Sequence, residues 1–199
     1  MSSVADPQLH RRNFRTVFAL AGLFLLPLAL SFWLYYGLHW RPPGTANHGE
    51  LIEPARPLPP VSLPDAAGVA RSHLFEGHWT LVYVGDGACD ADCRSTLYFM
   101  RQTRLSLNNE MSRVQRVFLA TGGCCDRAYL EREHPGLRVL DASAAAARPL
   151  LAQFAPLGRT RTLYVVDPLG NLMMRYDADL PPSGLLADLK RLLQLSHIG

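Results

Sequence analysis

The longest apolar stretch of the chain lies near its N-terminus. Residues Thr16 to Leu38 contain no charged side chain over 23 positions. A helix of this length extends roughly 34 Å at about 1.5 Å per residue, and the hydrocarbon core of a bilayer is about 30 Å thick. We therefore predict one transmembrane helix at 16–38. The alternative is a cleaved signal peptide with its cleavage site near Ala29-Leu30-Ser31.

The residues on either side of this stretch set its predicted orientation. Arg11, Arg12 and Arg15 precede it, so the positive-inside rule leaves residues 1–15 in the cytoplasm. Seven prolines then fall between Arg41 and Pro64, and proline-rich segments act as semi-rigid spacers. We therefore predict a linker at 39–64 that holds the rest of the chain outside the cytoplasm.

From residue 65 onward, short β-prone apolar runs alternate with amphipathic segments. Strands are predicted at 79–84, 114–120, 137–140, 162–166 and 172–176, and helices at 92–111, 126–133, 143–154 and 183–195. Asp126, Ser143 and Ser183 are the predicted helix caps. The turn at 167–171 joins the last two strands into a hairpin.

This β-α-β-α-β-α-β-β-α order predicts how the sheet is built. Alternating strands and helices favour a parallel sheet with right-handed crossovers, and the hairpin adds an antiparallel edge. Thioredoxin-like domains have this order of elements. We therefore predict an α/β fold, with residues 65–196 forming one thioredoxin-like domain after the N-terminal transmembrane helix.

Composition and charge narrow the possible functions. Apolar residues make up 48% of the chain and charged residues 19%, which is typical of a protein with a buried core. The formal net charge is +3, most of it near the N-terminus, so a nucleic-acid partner is not expected. The chain has no HExxH, GxSxG or P-loop spacing, which leaves hydrolase and NTPase functions without a motif.

Cys89 and Cys93 are the candidate chemical centre. They fall between the first predicted strand of the domain and its first long helix, where open α/β sheets place ligands. Four residues make about one helical turn, so both sulfurs can face the same way. This arrangement permits a disulfide or two soft ligands for a metal such as Cu(I). A purely stabilising disulfide is the alternative, although so short a loop gains little from closure.

The spacing of the other cysteine, methionine and histidine side chains gives less support for a role in metal binding or thiol exchange. Cys124 and Cys125 follow the second strand of the domain and are either exchange partners of the first pair or small residues in a tight loop. The remaining candidates are more typical of core or surface positions: Met100, Met111, Met173, Met174, His73, His78 and His134.

Three stretches resemble a known family: NHGELIEPARPL, WTLVYVGDGACDADCRSTLYFMRQTR and LYVVDPLGNLMMRY. Together with the anchor and the CxxxC motif, they resemble the Sco/SenC family of thioredoxin-like copper chaperones for cytochrome c oxidase. More closely, they resemble bacterial single-pass proteins that accompany oxidase assembly genes. The resemblance implies a location in the bacterial inner membrane with a periplasmic domain. It also implies oxidase subunits or other assembly factors as partners.

The resemblance assigns copper binding to Cys89 and Cys93, with Cu(I) as the metal. The family's third ligand is a histidine, and its position falls near Arg159, so the third ligand here is unknown. Arg94 replaces the proline that follows the second cysteine in Sco-type motifs, and Thr160 or Arg161 stands where thioredoxins carry a cis-proline.

Three functions follow from these observations. The first is a membrane-tethered accessory factor for cytochrome c oxidase biogenesis that works by thiol–disulfide exchange or Cu(I) handling. Cys89 would be the attacking thiolate or first ligand, and Cys93 the resolving thiol or second ligand. The second is a general thiol–disulfide oxidoreductase acting on secreted proteins. The third is a non-catalytic scaffold that binds oxidase subunits and has a structural disulfide.

Overall fold

The structure is a computed structural model that describes residues 7–38, 47–122, 126–154, 161–196 and 198. The chain divides into two compact units at residues 45 and 46. In the first unit, helix α1 covers Pro7–Phe32 and continues as a π-helical turn over Trp33–Gly37. The stretch Arg15–Gly37 is long and apolar enough to cross a membrane, in agreement with the helix predicted at 16–38.

The second unit is built on a six-stranded sheet with the order β1-β8-β7-β4-β5-β6. Its strands are β1 (Glu50–Pro57), β4 (Trp79–Gly85), β5 (Val114–Ala120), β6 (Leu137–Asp141), β7 (Thr162–Val166) and β8 (Asn171–Asp177). Strands β4, β5 and β6 are parallel, whereas β7 is antiparallel to β4, and β8 is antiparallel to both of its neighbours. Two short strands, β2 (Leu63–Pro64) and β3 (Ala70–Arg71), form a separate hairpin.

Helices cover both faces of this sheet. They are α2 (Ala91–Leu105), α3 (Arg127–Glu133), α4 (Arg148–Leu151) and α5 (Pro182–Leu195), with 3₁₀ turns at Asn108–Arg113, Ala145–Ala147 and Ala152–Phe154. Side chains of α2, α3 and α5 enter one hydrophobic cluster with the sheet. The segment 145–154 and the region of the β2–β3 hairpin enter a second cluster on the other face. The predicted thioredoxin-like α/β architecture is therefore confirmed.

Strand β1 corrects the predicted linker at 39–64. Residues 50–57 pair with β8 and form an edge of the sheet, so the domain begins before residue 65. Pro54 and Pro57 are compatible with this strand because proline is tolerated at a sheet edge, where its missing N–H is not needed. The prediction that the hairpin β7–β8 forms an edge of the sheet is therefore wrong, because β1 lies beyond β8. Residues 39–46 of the linker lie outside the described residues.

The carboxylate of Asp188 on α5 fastens the start of β1 to the domain. It is buried and accepts the backbone N–H groups of His48 at 2.8 Å and Gly49 at 2.9 Å. The Nδ1 atom of His48 lies 3.1 Å from the same carboxylate. These contacts fix the chain where it enters the domain from the N-terminal side.

Several predicted helix boundaries are wrong by a few residues. Helix α2 ends at Leu105 instead of 111, because Asn108 adopts a left-handed conformation with φ of 52° and a 3₁₀ turn follows. Ser143 does not cap a helix, since its hydroxyl donates to Asp141 at 2.6 Å. Ser183 is not a cap either, because α5 already begins at Pro182, whose ring sets the helical φ angle. The predicted cap Asp126 is confirmed and accepts the Tyr129 N–H at 3.0 Å.

Candidate functional site

Cys89 and Cys93 form a disulfide at the carboxyl end of β4. Their Cα atoms are 5.0 Å apart, with Cys89 just before α2 and Cys93 in its first turn. Cys89 has a φ of 47°, which places its backbone in the left-handed region. Its N–H donates to the carbonyl oxygen of Asp86 at 3.1 Å. The predicted pair therefore comes together at the predicted place, between the first parallel strand and the first long helix.

The loop that presents Cys89 is tied to the end of β5. The Asp86 carboxylate accepts the N–H of Ala88 at 2.8 Å. A Cβ atom at Gly122 would lie 2.8–2.9 Å from the Asp86 carboxylate oxygens, so the lack of a side chain there lets the two loops approach closely. Thr121 also donates its N–H to the carbonyl of Gly85 at 2.9 Å. Contacts between the ends of β4 and β5 therefore fix the position of the loop that carries Cys89.

Asp90 is the N-cap of α2, and its position affects the chemistry of both sulfurs. Its carboxylate accepts the N–H of Cys93 at 2.9 Å. An unpaired N–H at a helix start is one of the groups that stabilise a cysteine thiolate. Here a carboxylate already uses it, and Asp92 adds a second negative charge in the first turn. These two carboxylates therefore disfavour a free thiolate.

Tyr83 forms one wall beside the disulfide. Its ring stacks on Phe118 with the centroids 5.5 Å apart. Burial raises the pKa of Tyr83 to about 12, with further increases from the charges of Asp90 and Asp92 and an opposing effect of Arg161. The phenol is therefore protonated at neutral pH, and its pKa reflects the same negative charges that act on the sulfurs.

Both sulfur-bearing residues are buried in the disulfide form. Cys89 is 3% exposed and Cys93 is 2% exposed, and both belong to the hydrophobic cluster under α2. Both cysteines are therefore packed under helix α2 rather than exposed at the rim of the sheet. Helix packing draws the first turn of α2, including Cys93, against the sheet. Both cysteines nevertheless line a cleft of about 440 Å³, together with Tyr83, Val84, Gly85, Asp86, Ala88, Asp90, Thr121, Thr162 and Tyr164.

The contacts of Arg94 are a part of the site that the sequence did not predict. Its Nε donates to the carbonyl of Cys89 at 3.3 Å, and its guanidinium lies 4.5 Å from the ring centroid of Tyr129. A guanidinium at this distance from an aromatic face forms a cation–π contact. A nitrogen of Arg94 also lies 3.9 Å from Asp126. Arg94 thus connects the disulfide loop to α3, in the place where Sco-type motifs carry a proline.

Comparison with known families assigns this domain. The family described as "Transmembrane-like, thioredoxin-like, C-terminal domain" matches residues 79–196. The chain belongs to this family. Among curated protein sequences, none matches the chain.

Solved structures show that this member of the transmembrane-like, thioredoxin-like family has a Sco-like fold. Apo Sco1 from Thermus thermophilus is 23% identical with a TM-score of 0.61, covering 74% of this chain and 97% of that one. Yeast Sco1 with copper bound is 15% identical with a TM-score of 0.62, covering 72% and 95%. BsSco, described as a member of the Sco family of cytochrome c oxidase assembly proteins with a disulfide switch, is 16% identical with a TM-score of 0.54, covering 74% and 99%.

The other candidate ligands that the structure describes occupy core or surface positions. Met100 and Met174 are in the core, and Met173 packs against it. His73 forms an exposed pair with Glu76 at 2.9 Å, and His134 is buried. In the described part of the chain, no group of three His, Cys, Asp or Glu residues could hold a metal. Cys124, Cys125, Arg159 and Thr160 lie outside the described residues.

Proposed function

We propose that this protein is a membrane-tethered, thioredoxin-like accessory factor for cytochrome c oxidase biogenesis. It acts through Cys89 and Cys93 by thiol–disulfide exchange or by carrying Cu(I) as cargo. The observation that carries the proposal is the Cys89–Cys93 disulfide at the start of α2 in a Sco-like fold. Two similar structures support the proposal: yeast Sco1, which has copper bound, and BsSco, which has a disulfide switch and belongs to a family of cytochrome c oxidase assembly proteins.

The tether follows from the first unit of the chain. Helix 15–37 is the candidate span, and Arg11, Arg12 and Arg15 stand at its N-terminal end. The positive-inside rule puts this end in the cytoplasm and the domain in the periplasm of a bacterial inner membrane. A disulfide is compatible with that compartment because it persists in an oxidising environment.

The exchange branch moves two electrons from the reduced pair to a client. The Cys89 thiolate attacks a client disulfide, which forms a mixed disulfide and releases one client thiolate. Cys93 then attacks the Cys89 sulfur, restores the intramolecular bond and releases the second client thiolate. In the copper branch the reduced thiols lose their protons and give Cu(I) two soft ligands. Cys89 and Cys93 have the chemistry for this cargo, while the third ligand stays unassigned.

Cu(I) titration of the reduced full-length protein in detergent tests the copper branch. A competing chromophoric Cu(I) ligand reports the affinity of wild type, Cys89→Ser, Cys93→Ser and the Cys124→Ser/Cys125→Ser variant. We expect either single change in the first pair to weaken binding, and the Cys124/Cys125 variant to separate any contribution of the second pair. If Cys89→Ser binds Cu(I) as tightly as wild type, the copper branch is wrong. The exchange branch fails if the Cys89–Cys93 pair reacts with neither glutathione nor a small dithiol.

A non-catalytic scaffold with a structural disulfide is the second candidate. The burial of both cysteines, which are 3% and 2% exposed, favours it. A strain that carries Cys89→Ala/Cys93→Ala, compared with a strain that lacks the protein, separates the two functions. Oxidase activity that survives the double substitution but not the deletion selects the scaffold. Activity lost in both strains, with the variant protein present at normal levels in the membrane, selects cysteine chemistry.

A further inference from the structure

A second cavity lies beside the edge strand β6, away from the disulfide. It has a volume of about 700 Å³ and shares no lining residue with the disulfide cleft. Strand β6, helix α3 and the β2–β3 hairpin region enclose it. A space of this size suits an organic ligand.

His134 brings a buried polar group to this cavity. It is 3% exposed, and its Nε2 lies 3.3 Å from the hydroxyl of Tyr129. Its Nδ1 has no hydrogen-bond partner among the residues that the structure describes. Burial lowers the pKa of His134, and the charges of Arg116 and Arg101 lower it further. The ring is therefore neutral at pH 7 and has one nitrogen left for a ligand.

Arg116 on β5 is a buried cation directly behind the cavity wall. It is 3% exposed, and its Nη2 donates at 2.7 Å to the carbonyl of Pro135, which lines the cavity. Its Nε and Nη1 have no partner within the described part of the chain. Burial lowers the pKa of Arg116 to about 10, with additional effects from Arg104 and Arg101. A buried charge is strongly unfavourable unless an opposite charge accompanies it.

The charges at the cavity mouth are also mainly positive. Arg127 and Arg138 are exposed and have no carboxylate partner among the described residues. Arg71 is already paired, with its Nε 2.8 Å from Asp65. Glu131 is the one other carboxylate among the lining residues. With Arg116 behind the wall, positive charge is therefore in excess around the cavity.

We propose that this cavity is a binding site for an organic anion that carries a carboxylate or phosphate group. The anionic group compensates the charge of Arg116, accepts from Arg127 or Arg138 and contacts Nδ1 of His134. The apolar part of the ligand packs on Leu74, Leu130 and Leu137. This site is independent of the cysteine pair and of the proposed function.

Anion-dependent stabilisation of the full-length protein in an uncharged detergent tests the site. Hexanoate, acetate and inorganic phosphate are titrated at constant ionic strength, and thermal unfolding is followed by circular dichroism. We expect a saturable rise in Tm, larger for hexanoate than for acetate if the apolar lining takes part. A dominant response to phosphate instead identifies a phosphate ligand.

The Arg116→Met variant removes the buried charge and keeps an apolar side chain of similar length. We expect it to bind the anion roughly tenfold more weakly, because the positive charge behind the cavity wall that attracts the anion is gone. Arg138→Gln at the exposed mouth tests the site without disturbing the core, with an expected loss of about threefold. Arg56→Met on the opposite sheet edge is the matched control and keeps the wild-type response. A response equal in wild type, Arg116→Met and Arg138→Gln, or no saturable response to any of the three anions, overturns the proposal.

Discussion

Replacing Asp90 with asparagine should make the reduced cysteine pair more reactive. Asparagine retains the oxygen that accepts the Cys93 N–H at 2.9 Å, so the helix cap is kept while its negative charge is removed. Alanine at the same position removes both the cap and the charge. Comparing the two variants therefore separates the effect of charge on the sulfurs from the effect of a loosened helix start.

The size of the effect follows from the position of Asp90. Its carboxylate is exposed at the start of the helix turn that carries Cys93, so water screens its repulsion of a thiolate. Charge interactions at exposed helix ends amount to about 0.3–1 kcal/mol. We therefore expect a two- to fivefold rise in thiolate fraction at pH 7 for Asp90→Asn, by the relation of roughly 1.4 kcal/mol per factor of ten. Asp90→Ala should in addition cost about 1 kcal/mol of folding free energy through loss of the cap.

The assay is the rate at which iodoacetamide alkylates the reduced full-length protein at pH 7. Peptide mass spectrometry follows Cys89 and Cys93 separately from the other two cysteines. Asp167→Asn is the matched control, because Asp167 accepts the N–H groups of Leu169 and Asn171 in a turn at the opposite end of the sheet. Equal alkylation of wild type and Asp90→Asn would refute the view that this carboxylate restrains the thiolates.

Three further predictions concern the stability of the domain. Asp188→Ala leaves two backbone N–H donors, of His48 and Gly49, without their acceptor, which should cost about 2–4 kcal/mol in urea unfolding. The pKa of Tyr83 is about 12 in the folded domain and near 10 when unfolded, so stability falls as pH rises between these values. Tyr83→Phe should remove about 2 kcal/mol of that fall, measured by unfolding at pH 9 and pH 11.5. Gly85→Ala puts a Cβ atom 2.8–2.9 Å from the buried Tyr83 ring and should lower the free energy of unfolding by about 1–3 kcal/mol.

Strands with buried side chains on both faces were the most predictable elements. The predicted spans of β5 (Val114–Ala120) and β7 (Thr162–Val166) match the structure at every residue. Such runs of valine, leucine and aromatic residues have few alternatives to a central strand. Strand β1 was missed because Glu50–Pro57 has two prolines and no apolar alternation. Its strand conformation comes from pairing with β8, more than a hundred residues later in the chain, which no local pattern reveals.

In the candidate site, too, some features are predictable from the sequence and others depend on the fold. The sequence spacing correctly predicts a cysteine pair at the junction of β4 and α2. It does not predict the burial of the pair, which depends on how α2 packs on the sheet. The contact between Asp86 and Gly122 joins two loops that are far apart in the chain, so it too needed the fold. The cap at Asp90 was within reach of sequence reasoning, because aspartate three residues before a helix N–H is a common cap.

Access to the buried disulfide bears unequally on the two proposed chemistries. A thiolate that attacks a client must develop negative charge next to Asp90 and Asp92, and its helix N–H is already taken by Asp90. A Cu(I) ion brings positive charge close to these carboxylates, and it is small enough to reach the sulfurs through the cleft. A client disulfide must instead align with the sulfur of a cysteine that is at most 3% exposed. Access therefore favours the copper branch over exchange, whereas electrostatics does not separate the two: Cu(I) held by two thiolates carries a net charge of −1, as one attacking thiolate does. On this reasoning Asp90→Asn changes the two chemistries in the same direction at pH 7, because the loss of the nearby negative charge stabilises both the attacking thiolate and the singly negative Cu(I)–dithiolate relative to the neutral thiols.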